Sequence, residues 1–221
     1  DLDGDGVVDS NDDYLNNPAR SISCPAGSYG RYVCIDAAVG HYASAGGMFQ
    51  TECSAGTYQA STGQGSCDDA DAGYYVESAA ATSQTACLAG TYNPNTGSTS
   101  SSDCTDSDAG YYTSSTGSAY QTACTAGTYQ SSTGQTSCSD ADAGYYVSST
   151  AATSQTACAA GTYQSSTGQS SCTDASVGYY VPTTAATSQT ACAAGTYQAS
   201  TGQASCDDAD AGYYVTSAGS T

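Results

Sequence analysis

Twelve cysteines fall into six pairs at a nearly constant interval, and this constrains the fold more than any other feature. Each pair opens with Cys-x-Ala-Gly-Thr/Ser-Tyr, at Cys24, Cys53, Cys87, Cys124, Cys158 and Cys192. Each closes at Cys34, Cys67, Cys104, Cys138, Cys172 and Cys206, and four of the six pairs are 14 residues apart. Unmodified copies recur every 34 residues, as from Cys124 to Cys158. A period of that size is the signature of a tandem array of small units. The boundaries read as an acidic head and linker over 1–23, then copies over 24–52, 53–86, 87–123, 124–157, 158–191 and 192–221. The first copy is short, the third carries three extra residues near Ser100, and the last is incomplete.

Composition explains why the cysteines are needed. Leu, Ile, Val and Phe together number 15 of 221 residues. So few large apolar side chains cannot offset the ordering entropy of a chain this long. Covalent links are the remaining means, and closing a loop of about 15 residues contributes roughly 3 kcal/mol through the unfolded state. Disulfides imply an oxidising compartment, so the expected location is extracellular or at the cell surface. Zinc is the competing use of cysteine. It wants close cysteine pairs, and here no two lie two to four residues apart, while His41 is the single histidine.

Each copy is itself double. When Cys124 is set against Ala141, Gly127 meets Gly144, Tyr129 meets Tyr146, and the closing Cys138 meets Gln155. The second half has lost both cysteines. The same paired loss occurs at Ala70 with Gln84, Ser107 with Gln121, and Ala175 with Gln189. Residues that vanish together are expected to be partners. This favours Cys24–Cys34, Cys53–Cys67, Cys87–Cys104, Cys124–Cys138, Cys158–Cys172 and Cys192–Cys206, with Ala141 near Gln155. The rival scheme joins each closer to the next opener, 20 residues on, and connectivity does not follow from sequence alone.

Tyr, Val and Thr favour extended backbone, Ser-Thr-Gly-Gln supplies a turn, and no stretch shows helical apolar periodicity. The expected fold is small, disulfide-rich and all-β: short hairpins of two or three strands per 17-residue unit, stacked end to end as an elongated array. The Gly-x-Tyr tyrosines (Tyr58, Tyr75, Tyr129, Tyr146) are expected to form the miniature cores, and His41 to be a packing variant of them. Stacking of exposed tyrosines on glycans is the alternative.

The opening motifs, Cys-Pro-Ala-Gly-Ser-Tyr at 24–29 and Cys-x-Ala-Gly-Thr-Tyr thereafter, resemble the ephrin-receptor-like (GCC2/GCC3) cysteine-rich modules. They are also similar to the first module of tumour-necrosis-factor-receptor cysteine-rich domains. The resemblance covers 24–221. It implies an extracellular, elongated, non-enzymatic array in which each opener bonds a closer about 14 residues on. The loss of the bridge from alternate units departs from those families.

Residues 1–13, Asp-Leu-Asp-Gly-Asp-Gly-Val-Val-Asp-Ser-Asn-Asp-Asp, follow the calcium-loop pattern of oxygen ligands at alternate positions with glycine at the sixth. Asp1, Asp3, Asp5, Asp9 and Asp12 would supply carboxylates and Val7 its backbone carbonyl. Asp13 is a substitute for Asp12, which stands where a longer glutamate is usual. The segment resembles dockerin and thrombospondin type 3 loops, so Ca2+ is the expected cofactor. A second acidic series follows each closer, at Asp36, Asp69, Asp106, Asp140, Asp174 and Asp208, with further aspartates at Asp71, Asp108, Asp142 and Asp210. These read as turn-capping residues, with a ladder of weak cation sites as the alternative.

The net charge of −19, with no lysine and only Arg20 and Arg31, excludes nucleic-acid binding, which needs basic side chains against phosphate. No apolar run is long enough to span a membrane, and no signal peptide precedes the repeats, so the chain reads as a mature or excised segment. One histidine, two glutamates (Glu52 and Glu77) and fully paired cysteines leave little for catalysis, so no enzymatic activity is expected. The leading expectation is a structural protein: a segment of an extracellular fibre, filament or surface-appendage stalk that assembles head-to-tail as a homo-oligomer. An adhesin or receptor-like ectodomain binding protein or glycan is the alternative. The Ser/Thr runs 98–102 and 183–190 are candidates for O-linked sugars.

Overall fold

The computed structural model describes residues 22–221. The candidate calcium ligands Asp1 to Asp13 lie outside those residues. Among the described residues the chain forms eleven two-stranded antiparallel sheets, each a hairpin of two-residue strands, and a single 3-10 turn at Ser101–Asp103. The prediction of tandem disulfide-stapled hairpins is met, with two strands per unit.

A local turn starts each hairpin. In Cys124-Thr-Ala-Gly-Thr-Tyr129 the Thr128 amide donates to the Thr125 carbonyl at 3.0 Å, and Gly127 sits third in the turn with φ +91°. Positive φ at that position is the type II pattern and favours glycine. The turn feeds the strand Thr128–Tyr129, which pairs with Ser139–Asp140 in the register Thr128↔Asp140, Tyr129↔Ser139. The Ser-Ser-Thr-Gly-Gln segment between the strands bends at Gly134 (φ +69°), as its composition predicts. In alternate hairpins the left-handed position is taken by Ala80, Ala151 or Ala185, with φ of 56°, 53° and 55°, or by Gly46, Gly117 or Gly219.

The described residues group into two compact units. One runs up to Thr105 and includes Thr116–Tyr120; the other comprises Asp106–Ser115 and Gln121–Thr221. Within each, successive hairpins are joined through backbone. In the first, the Gly56 amide donates to the Val76 carbonyl at 2.8 Å, Val76 to Ser98 at 2.9 Å, and Ala80 back to Cys53 at 2.8 Å. The second repeats the pattern: Gly127 to Val147 at 2.7 Å, Val147 to Gln169 at 3.0 Å, Ala151 to Cys124 at 2.8 Å. Short strands satisfy few of their own polar groups, so these junction bonds complete the backbone pairing.

The core departs from the sequence expectation. The tyrosines of the hairpins are half-buried at most, and Tyr213 and Tyr214 are exposed. The buried positions belong to the openers and their counterparts: Cys24, Cys53, Cys87, Cys124, Cys158 and Cys192, with Ala37, Ala70, Ala141, Ala175 and Ser107. Val76, Val147 and Val181 join them. Among the described residues the buried side chains lie along the junction backbones. A small side chain fits there, and a phenol does not.

Candidate functional site

The six disulfides are those deduced from paired loss: Cys24–Cys34, Cys53–Cys67, Cys87–Cys104, Cys124–Cys138, Cys158–Cys172 and Cys192–Cys206. Their Cα atoms stand 5.5–5.8 Å apart, within the ordinary span of the bond. No cysteine is free. Each opener is buried, whereas its closer is half-buried, except Cys34, which is exposed.

The intervening hairpins carry a different staple. Gln155 stands where a closer would be, and its Oε1 accepts from the Asp142 amide at 2.6 Å while its Nε2 donates to Asp142 Oδ2 at 2.6 Å. Gln84 grips Asp71 in the same way (2.7 and 2.6 Å), and Gln121 grips Asp108 (2.7 and 2.6 Å). Gln189 and Gln50 each accept only a backbone amide, from Ser176 and Ala38, because neither partner has a carboxylate. Sulfur bridges therefore alternate with glutamine contacts at one structural position, and these are full amide–carboxylate clamps at Gln84, Gln121 and Gln155. The regular recurrence of glutamine at the lost closer was the available signal. Sequence reasoning placed Gln155 beside Ala141 but did not foresee the grip on Asp142. That clamp also gives Asp71, Asp108 and Asp142 a role other than turn capping.

Asp36, Asp69, Asp106, Asp140, Asp174 and Asp208 do not sit in turns. Each is the second residue of a returning strand, as in Ile35–Asp36 and Thr173–Asp174. Their backbones are spent on strand pairing, which corrects the turn-capping expectation. Asp140 faces Gly168, the turn glycine two hairpins on, and Asp174 faces Gly202 likewise. Among the described residues no three His, Cys, Asp or Glu side chains are grouped to hold a metal ion. His41 is half-buried, with Nδ1 3.1 Å from the Val39 carbonyl, in the strand position where other copies carry tyrosine.

The odd hairpins use a second glutamine internally. Gln59 and Gln198 are buried; each donates to a carbonyl near the closer (Ser66 at 3.1 Å, Ser205 at 3.0 Å) and accepts from the amide two residues on. In the third copy Asn93 fills this place, fully buried, and its Nδ2 donates to Ser98 Oγ at 2.7 Å. Ser98 is thereby removed from the surface run proposed for sugars. Burial, with the Asp71 and Asp68 charges secondary, raises the Tyr58 phenol above its ordinary pKa of 10.0.

Two hollows recur at equivalent places, one in each unit. One, of about 240 Å3, is lined by Tyr75, Thr85, Ala86, Cys87, Leu88, Thr91, Ser101 and Cys104. The other, of about 280 Å3, is lined by Tyr112, Thr122, Ala123, Thr125, Thr128, Ser137 and Cys138. The first differs by the inserted 3-10 turn, which brings in Ser101, and by Leu88 in place of Thr125. That turn is held by a capping box between Ser100 and Asp103. The Ser101 amide donates to Glu77 at 3.4 Å, which places a carboxylate beside the hollow.

The chain is thus a cysteine-rich tandem-hairpin repeat protein. No protein-family model matches it, and no curated protein matches it either. Among the described residues no helix is long and apolar enough to cross a membrane.

Proposed function

We propose that this protein is a structural segment of an extracellular fibre, filament or surface-appendage stalk, that it joins further copies head-to-tail, and that it has no catalytic role. One observation carries the reading: the same three backbone bonds recur from hairpin to hairpin inside each unit, so the chain's bonding capacity goes into propagating itself. Six disulfides and no free cysteine suit an oxidising exterior. The head Asp1, Asp3, Asp5, Val7, Asp9, Asp12 and Asp13 supplies an oxygen-rich donor set of the kind Ca2+ takes, and calcium there stiffens the joint between copies. Electron microscopy of the full chain with calcium and with a chelator tests this. Filaments with calcium and their loss on chelation are expected; single particles under both conditions refute it.

The second reading is an adhesin or receptor-like ectodomain. The tyrosine-walled hollows at Tyr75 and Tyr112 favour it, since such a wall accepts a sugar face or an apolar side chain. Glycan-array binding lost on Tyr112→Ala would support it.

A further inference from the structure

The first repeat departs from its siblings in one direction. Val33 stands where other copies carry Ser66, Ser137 or Ser171, and Ile35 where they carry Asp68, Ser139 or Thr173. Met48 replaces Thr82, Thr153 or Thr187, and Phe49 replaces Ser83, Ser154 or Ser188; the third repeat carries Ala119 and Tyr120 there. Four polar surface positions have become large and apolar. None is covered: Val33 is 55% exposed, Ile35 54%, Met48 51% and Phe49 79%. Leu, Ile, Val, Phe and Met together number 16 in the whole chain, and four of them stand exposed on this one repeat.

Backbone contacts bring these residues near Gly30. The Gly30 amide donates to the Gly47 carbonyl at 3.2 Å, which brings Met48 and Phe49 alongside. A Cβ on Gly30 would lie 2.1 Å from the Val33 carbonyl oxygen, and Ile35 pairs with Tyr29 next door. Arg31, the single Lys or Arg among the described residues, lines the same hollow of about 400 Å3 with Ile22 and Met48. Its guanidinium lies 5.3 Å from the centre of the Tyr32 ring.

Charge selects the occupant. Residues 53–221 carry thirteen carboxylates and no lysine or arginine; residues 22–52 carry Asp36 and Glu52 against Arg31. The rest of the array is therefore strongly anionic, and it offers an apolar hollow at Tyr75, Leu88 and Thr91 with Glu77 at its edge. Leu88 is itself 73% exposed. The chain thus displays both an apolar face with a cation and an apolar hollow with an anion. The geometry points to a second copy of this chain as the partner: the Val33–Ile35–Met48–Phe49 face of one copy seats on the Tyr75–Leu88 hollow of the next, with Arg31 against the partner copy's acidic rim. Such a contact uses two different surfaces, so it propagates unless a ring closes. The inference rests on the reading that copies join one another, and it supplies a contact between the first repeat of one copy and the second and third repeats of the next.

Sedimentation velocity on the full, oxidised chain tests it, over a concentration series with calcium present. The wild type is expected to associate with rising concentration. The variant Val33→Ser/Ile35→Thr/Met48→Thr/Phe49→Ser, which carries residues its sibling repeats already hold at these positions, should raise the dissociation constant about tenfold or more. Leu88→Thr should weaken association in the same direction. Arg31→Glu should weaken it too, and adding Glu77→Arg should restore it. Intact mass and six bridges verify that each variant is folded. A variant that assembles like the wild type overturns the contact; if it also forms filaments by microscopy, the head-to-tail reading stands without this surface. A wild type that stays monomeric throughout overturns both.

Discussion

Gly161→Ala and Gly195→Ala are the same change at the same backbone setting in two surroundings. Gly161 has φ +90° and Gly195 has φ +91°, each third in a type II turn. A side chain at either pays for a left-handed conformation, about 1–2 kcal/mol. Their surroundings differ. A Cβ on Gly161 would lie 2.2 Å from the Gly202 carbonyl oxygen and 2.9 Å from its carbon, whereas nothing lies within 4 Å of the same position at Gly195. The atoms met by Gly161 are backbone, so they cannot swing aside. The hairpin must separate from the one two places on, and the bonds from Gly161 to Val181 (2.8 Å) and from Gly202 to Ala175 (2.8 Å) go with it. Each lost buried backbone bond costs roughly 1–3 kcal/mol, so with two bonds lost Gly161→Ala should be costlier than Gly195→Ala by about 2–6 kcal/mol. Amide hydrogen exchange on the oxidised protein separates the two effects. Gly161→Ala should expose the amides that donate in these two bonds, those of residue 161 and Gly202. Gly195→Ala should affect its own turn alone. Equal losses from the two changes, or losses confined to the turn in both, would show that junction packing does not hold the array together.

Further outcomes follow from the alternating staples and from two local misfits. Gln155→Ala removes both arms of a surface clamp and should cost its hairpin about 1–2 kcal/mol, read by exchange of the Asp142 amide; Gln189→Ala, with one arm, should cost about half as much. Thr113 occupies the slot that valine fills at Val76, Val147 and Val181, and its Oγ1 is buried without a hydrogen-bond partner. Thr113→Val should therefore raise stability by about 1–2 kcal/mol in thermal unfolding. Ala151→Gly relieves a left-handed alanine that other hairpins replace with Gly117 or Gly219, and should gain about 1 kcal/mol in denaturant unfolding.

How far the sequence carried the reading depends on the kind of information each feature holds. Disulfide partners were legible because loss of one cysteine removes the reason to keep the other, so both are absent at Ala141 and Gln155. Turn positions were legible at Gly127 and Gly134, because positive φ selects glycine by local sterics. The clamp was half legible. Glutamine recurs at the vacated closer, but that its amide reaches Asp142 rather than the alanine beside it depends on the side chain's path in space. The acidic series misled, because a Cys-x-Asp motif carries turn and strand readings equally well. Only the pairing of Asp140 with Thr128 decides between them.

The sequence by itself determined the unit, its period, its covalent links and its want of an oily interior, since these follow from spacing, composition and the conformational needs of glycine. The tertiary structure decided where the interior is. Bonds from Gly127 to Val147 and from Ala151 to Cys124 join residues 20 and 27 apart, and they enclose a space too narrow for tyrosine but right for cysteine and alanine. Long-range backbone contacts of this kind leave no mark in residue type, because every residue carries the same amide and carbonyl.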